Sequence, residues 1–278
     1  MMHLIPHKML RAALGVLAAI PAISLAAPVP AQVPGGIAQV RLGSSTSPRP
    51  QVLLGDRRVL VRDEGGDWVA WVGIPLDLTP GELPLTIRVS GHARMQTLAV
   101  HGKDYPVQHL QVKNPRMVNP DPDDLARIRM ETATQDEVKT LFRDEPAPDM
   151  DLIAPATGRR SSAFGLRRTF NGEPRAPHRG LDIAAGRGAP VLAPASGVVT
   201  HVGNFFFNGR TVFVDHGQGL ISMLCHMDRV DVEAGTRVEQ GTQLGVVGSS
   251  GRATGPHLHW SVFLNGTPVD PALFIDGP

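Results

Sequence analysis

The chain has 278 residues, enough for two modest domains, and carries 27 Lys and Arg against 26 Asp and Glu. Acids and bases are interspersed with no long basic stripe, which excludes nucleic acid as a natural partner. With 30 glycines, 25 prolines and only 5% aromatic residues, the composition favours short strands and many turns over a helix bundle.

At the N-terminus, Lys8 and Arg11 precede the apolar run "AALGVLAAIPAISLA". Ser24, Leu25 and Ala26 fit a signal-peptidase site with cleavage after Ala26, and Ala31 offers a second one. Pro21 interrupts the run, which is short for a membrane span. An uncleaved anchor helix is the competing reading. No cysteine follows the segment, which argues against a lipid anchor. The expectation is a signal peptide over 1–26, a periplasmic or secreted product, and no stable membrane insertion after cleavage.

Residues 27–50 are rich in Pro, Gly and Ser and are expected to be extended. From 51 to 118, "RRVLVRD", "WVAWVGI", "LPLTIRVS", "MQTLAV" and "YPVQHLQV" are short β-rich segments separated by turn signals. This spacing predicts a small antiparallel β-sandwich with Trp68 and Trp71 in or near its core. His92, His101 and His109 are scattered over it as surface or turn residues. Over 119–150, Asp121 can cap a helix, Pro122 suits its first turn, and Leu125, Ile128, Val138, Leu141 and Phe142 form a rough helical stripe. "DEPAPDM" then ends this linker helix in a proline-rich joint.

From 151 to 278 the pattern is again β, with Gly-containing turns and no clear helix. Cys225 is the only cysteine, so no internal disulfide can form. In "LISMLCHM" it reads as a buried, inert thiol. A nucleophilic pair with His226 is disfavoured, because adjacent strand residues point to opposite faces. His216 reads as structural and His201 as an exposed strand position. "GNFFFNGR" places Phe205, Phe206 and Phe207 in a turn, where they line a groove or reach the core. Arg167 and Arg168 could meet a substrate carboxylate or brace the loop before His178, and at least one is expected to be structural.

Two short motifs carry the chemistry. "PHRGLD" sets His178 and Asp182 four apart, and "GPHLHW" puts His257 and His259 on one face of a strand, since side chains alternate along it. Either motif alone is a weak signal. One His and one Asp from the early loop, with one His from the late pair, supply the three protein ligands of a catalytic zinc. His226 and the remaining histidine of the pair are then left as bases beside it.

The segments "HRGLDIAA", "VLAPASGVV", "GLISMLCHM" and "GVVGSSGRATGPHLHW" resemble the lysostaphin/LytM-type zinc endopeptidases that cleave peptidoglycan peptides, from about Ser161 to the C-terminus. Residues from about Val52 to Glu131 more loosely resemble the β-sandwich and helix that precede such domains in some Gram-negative members. The resemblance implies a mainly β protein whose C-terminal antiparallel β domain carries a groove with zinc at its floor. It implies that His178, Asp182 and His259 hold Zn2+ and that His226 and His257 are unligated catalytic histidines. It implies peptidoglycan stem peptides as substrate, with a D-alanyl–diaminopimelate bond preferred and a glycyl bond as the alternative. The proline-rich joint "EPAPD" could let the region before position 150 lie over the groove and regulate it. The alternative is a ligand-free relative that activates other wall hydrolases, and the filled ligand set weighs against it. A carbohydrate-binding or biotinyl-carrier-like domain gives no reason for that set.

Overall fold

The computed structural model describes Met1, residues 30–144 and residues 147–275. The signal segment expected over 1–26 thus lies, but for Met1, outside the described residues, as do Glu145 and Pro146 of the joint. Among the described residues no helix is long and apolar enough to cross a membrane.

The first half builds six antiparallel strands: β1 (Ile37–Ser44), β2 (Gln51–Leu54), β3 (Arg57–Glu64), β4 (Asp67–Gly73), β5 (Gly81–Val89) and β6 (His92–Val100), in the order β1-β4-β3-β2-β5-β6. Period-2 alternation is plain in β5, where Leu83, Leu85 and Ile87 are buried between exposed Pro84 and Arg88. Strand β3 pairs with β2 through Arg57–Val59 and with β4 through Leu60–Glu64. The sheet folds about that change of partner. Ala38, Val40 and Val72 from one half meet Val52, Leu85, Ile87 and Leu98 from the other in one core.

The sandwich starts earlier than the expected position 51. Strand β1 comes from the segment expected to be merely extended and pairs along β4 from Ile37 to Ser44. Its apolar residues are flanked by Pro, Gly and Ser runs that dominate the local composition. The sandwich also ends earlier. Strand β7 (Val107–Leu110) leaves it and pairs in parallel with β9 (Arg167–Phe170), which in turn pairs with β10 (Glu173–Arg175).

The outer face of β1, β3 and β4 does not meet solvent. Ile37, Leu60, Val69 and Trp71 share a core with Met150, Leu181, Leu224, Trp260, Leu264 and Val269. Gly73 donates to Asn265 Oδ1 at 2.7 Å, and Asn265 Nδ2 donates back to the Gly73 carbonyl at 3.2 Å. Trp71 is therefore a residue of the joint core, whereas Trp68 is half-buried and donates to the Ser47 carbonyl.

Helix α1 (Pro122–Lys139) begins as expected, with the Asp121 side chain accepting from the Asp124 amide. The expected apolar stripe docks only in part: Val138 is buried and Ile128 half-buried, but Leu125 is exposed. Polar groups make the other contacts. Glu131 accepts from the Phe206 amide at 2.7 Å, Gln135 accepts from Asn208 at 3.0 Å, and Arg127 donates to the Asn204 carbonyl at 2.9 Å. Beyond the helix, Arg143 pairs with the fully buried Asp215 at 2.5 Å.

The second half adds β8 (Arg159–Ser162), β11 (Leu181–Ala184), β12 (Pro190–Leu192), β13 (Gly197–Phe205), β14 (Gly209–Gly217), β15 (Leu220–Val230), β16 (Arg237–Val238), β17 (Gln243–Val247), β18 (Leu258–Leu264) and β19 (Thr267–Val269). The main sheet runs β16-β13-β14-β15-β18-β11-β8, with β12, β17 and β19 at its margins. Strands β14 and β15 are covered on both faces, so they read as near-continuous apolar runs. Alternate residues serve different cores. Val212, Val214 and Leu224 face the main core, while Phe213, Ile221, Met223 and Cys225 lie with Val138 of α1 and Phe263.

Candidate metal centre

Strands β11 and β18 are hydrogen-bonded neighbours, and Asp182 stands directly opposite His259. His178 arrives from the turn just before β11. Its Nε2 lies 3.0 Å from Asp182 Oδ1 and 3.0 Å from His259 Nδ1, and the latter is 2.8 Å from Asp182 Oδ1. These residues are the group whose ligand atoms converge as a metal site requires.

The proton inventory supports a cation at that point. His178 Nδ1 contacts the Ala163 carbonyl at 2.7 Å, and a carbonyl only accepts, so Nδ1 carries the proton and Nε2 presents a lone pair. The Asp182 carboxylate presents another. Lone pairs directed at one point repel unless something positive sits among them. Tetrahedral zinc with bonds of about 2.0–2.1 Å sets its donors roughly 3.3 Å apart, so the observed spacings need only slight opening. The outer contacts fit as well. Ala163 orients His178, and Ser261 Oγ lies 2.9 Å from His259 Nε2. The residues present therefore fit a divalent metal.

Asp182 is fixed from its other side. Arg168 Nη2 donates to Asp182 Oδ2 at 2.9 Å and to Ser162 Oγ at 2.9 Å, and Arg168 Nε donates to Gln108 Oε1 on β7 at 3.0 Å. Burial pushes the Asp182 pKa up, but the polar contacts and charges of the neighbouring His178 and His259 rings outweigh it and hold the carboxyl well below the usual range. Burial drives His259 down to about 4 against the opposing pull of Asp182. Both groups are thus in the states that bind metal.

His226 owes its position to an irregularity of β15. Arg210 pairs with Met227 and Val212 with Leu224, so Cys225 and His226 together oppose the single residue Thr211. Such a bulge re-aims a side chain. His226 takes the left-handed φ of 63°, and its amide donates to the Asn208 carbonyl at 2.9 Å. Its ring then lies 4.8 Å from that of His257 and 6.0 Å from that of His259. Burial first, then His259 and His257, lower its pKa to about 3. His226 Nδ1 donates to the Ser250 carbonyl and His257 Nδ1 to the Gly255 carbonyl, both at 2.8 Å. Each ring therefore keeps Nε2 as its proton-accepting atom. His257 Nε2 is 3.9 Å from Asp182 Oδ1.

All five expected site residues line one groove of about 610 Å³. Gln108, Leu110 and Val112 form part of one wall, and Gln135, Asp136 and Lys139 of α1 form part of another. The three phenylalanines divide. Phe205 is buried beside Phe213, Phe206 packs edge-on against Phe207 at 5.0 Å, and Phe207 lines the groove. Cys225 is buried with its pKa raised to about 12 by desolvation, as an inert thiol should be. His216 is structural, bonded to Ser196 and Ser222, and half-buried His201 stacks on Phe205. Arg168 braces the site, whereas Arg167 donates to the Tyr105 carbonyl. Ser162, Gln108, Ser261 and Arg252 also belong to the groove, and isolated polar residues of this kind carry no spacing signal by which to find them.

The model for peptidase family M23 matches residues 176–271, and that for the peptidase family M23 N-terminal domain matches residues 31–103. A crystal structure from Pseudomonas aeruginosa assigned to peptidase M23 superposes with a TM-score of 0.73 at 41% identity, covering 87% of this chain and 94% of that one. The peptidoglycan DD-endopeptidase ShyA of Vibrio cholerae is 37% identical over 40% of this chain and 26% of its own length. The DD-carboxypeptidase/endopeptidase Mpg of Neisseria meningitidis is 40% identical over 41% of this chain and 26% of its own. The matches thus span about a quarter of the length of these curated relatives.

Proposed function

Because the chain belongs to peptidase family M23, we propose that it is an exported, zinc-dependent endopeptidase that hydrolyses peptide cross-links of bacterial peptidoglycan. The observation that carries this reading is the meeting of His178, Asp182 and His259 at one point with two further imidazoles beside them in an open groove.

His178 Nε2, Asp182 Oδ1 and His259 Nδ1 would hold the ion. Zinc bound there would supply Lewis acidity toward a peptide carbonyl and make water more acidic. The protein's own groups do the rest. Arg168 keeps Asp182 oriented. His226 is neutral near pH 7, so its Nε2 can accept a proton from the attacking water, and His257 Nε2 is the second acceptor on that side. The histidine that gains the proton can return it to the leaving amine. The walls formed by β7, β9 and α1 confine an extended peptide to the groove, which gives the region before position 150 a route to govern access.

The preferred bond is D-alanyl–diaminopimelate, in keeping with curated relatives named as DD-endopeptidases. Purified zinc-loaded protein should release new D-alanine carboxyl and diaminopimelate amine ends from sacculi, identified by mass spectrometry. Glycyl ends would move the substrate to another cross-link. Stoichiometric metal with no release would leave the non-catalytic activator. N-terminal sequencing of protein from the periplasm or medium should begin at Ala27, and retention of Met1 would refute export by cleavage.

A further inference from the structure

Arg252 lies on the loop before His257 and differs from the other inward arginines. Arg168 is paired with Asp182 and Arg143 with Asp215. Among the described residues no carboxylate pairs with Arg252. Its guanidinium lies over two groove-lining rings, 4.1 Å from the Phe207 centroid and 4.6 Å from that of Phe170. Its hydrogen bond, Nη1 to the Met117 carbonyl, is long at 3.4 Å. A guanidinium has five N–H donors, so most of this one's capacity is unspent. Burial first, then the cations Arg168 and Arg175, lower its pKa to about 10. Withdrawing a cation from water beside other cations costs free energy unless an anion compensates.

We propose that Arg252, clamped on Phe170 and Phe207, forms a carboxylate subsite of the groove that reads a free carboxylate of the peptide substrate near the scissile bond. The identity of that anion rests on the hydrolase reading above. The two rings hold the guanidinium plane and leave its N–H edge for a planar, bidentate partner, which a carboxylate matches. Other cations of the groove, Lys139 and Arg179, add a field of the same sign. Lys139 has Asp136 at 3.4 Å and Arg179 is exposed, so among the described residues Arg252 is the half-buried cation of the groove without a carboxylate partner.

The test uses the full mature chain, zinc-loaded and carrying His257→Ala to stop turnover. Two synthetic cross-linked stem peptides are titrated calorimetrically, one with free carboxylates and one with the same groups as carboxamides. Amidation should weaken binding by about tenfold or more, the scale of a charge-assisted bidentate contact. Arg252→Met keeps an apolar stem on the rings. It should weaken the free-carboxylate ligand by a similar factor and bind both peptides alike. Arg252→Lys should recover part of the difference. Melting curves and circular dichroism establish that each variant is folded. Discrimination that survives Arg252→Met, or a parent that never discriminates, overturns the subsite while leaving sacculus cleavage intact. Discrimination lost in Arg252→Met with sacculi uncut by the His257-containing protein overturns only the hydrolase reading. Binding of neither peptide overturns the subsite, and sacculi left uncut as well overturn both readings.

Discussion

A methyl group on Gly180 would stand 2.6 Å from Cε1 and 2.7 Å from Nε2 of His259, and 2.6 Å from the Trp260 carbonyl. The turn that delivers His178 to Asp182 is thus pressed against the third donor. Gly180→Ala must part β11 from β18 and spread the donor atoms, so zinc affinity should fall by about 10–100-fold, the usual cost of disturbing a ligand's support. Gly186, where an added Cβ meets nothing within 4 Å, is the control. Chelator competition on both variants measures the effect, and an unchanged zinc affinity in Gly180→Ala would show that the strands separate freely.

Ligand and proton-transfer roles should separate on mutation. Asp182→Ala or His259→Ala removes a donor, so bound zinc and activity should fall together. His226→Ala or His257→Ala leaves the donors in place. These variants should keep near-stoichiometric zinc and lose turnover by about 10²–10⁴-fold. Elemental analysis with sacculus release reads both quantities. Loss of zinc in His257→Ala with retention in His259→Ala would exchange the two assignments.

Arg168→Met should weaken zinc binding by about 10–100-fold without touching a donor atom. The variant frees Asp182 Oδ2, Ser162 and Gln108 together. Its melting temperature should change less than its zinc affinity. A variant with normal affinity would reduce Arg168 to a packing residue.

The acid limb of stability should carry a signature of His216. Its pKa is lowered to about 4, chiefly by burial, and it is fully enclosed between Ser196 and Ser222. The unfolded chain takes up a proton near pH 6.5 that the folded chain refuses until about pH 4. Stability from this group is therefore complete above pH 6.5 and is lost as pH falls through that window. Between pH 7 and pH 5 the loss should be about 2 kcal/mol. Urea titrations of the protein and of His216→Gln at both pH values give the difference, and equal pH slopes would contradict it.

A fragment of residues 151–278 should be less stable and less active than the mature chain. It lacks Ile37, Leu60, Val69 and Trp71 from the shared core, and Gln108 and α1 from the groove. Burial of those apolar side chains is worth on the order of 5 kcal/mol or more. Thermal melts and sacculus release compare the two proteins. Higher activity in a folded fragment would instead make the N-terminal region a brake.

The donor residues were readable because "HRGLD" and "HLH" are compact, but spacing alone did not say which histidine of the pair takes the metal. Only the pairing of β11 with β18 brings Asp182 opposite His259. Arg167 and Arg168 illustrate a different limit. Alternation says that one points inward, and the face remains open until β9 is known to join β7. The three phenylalanines defeat alternation because β13 ends at Phe205 and the next two lie in the turn. Helix α1 was legible from Asp121 and Pro122, yet its mode of docking was not, since Glu131 and Gln135 read as solvent-facing until the turn carrying Phe206 and Asn208 is placed beside them.

The bulge at Cys225 and His226 makes part of the site a matter of residue count. Deleting Cys225 would leave His226 and every metal donor in the chain. The strand would then run regularly past Thr211, and the imidazole would take the place of the thiol, among Phe213, Met223 and Val138. A lineage could lose one of its two proton acceptors through one codon of an unreactive residue and keep its zinc. Searches that ask only whether the histidines are present would still score such a descendant as intact.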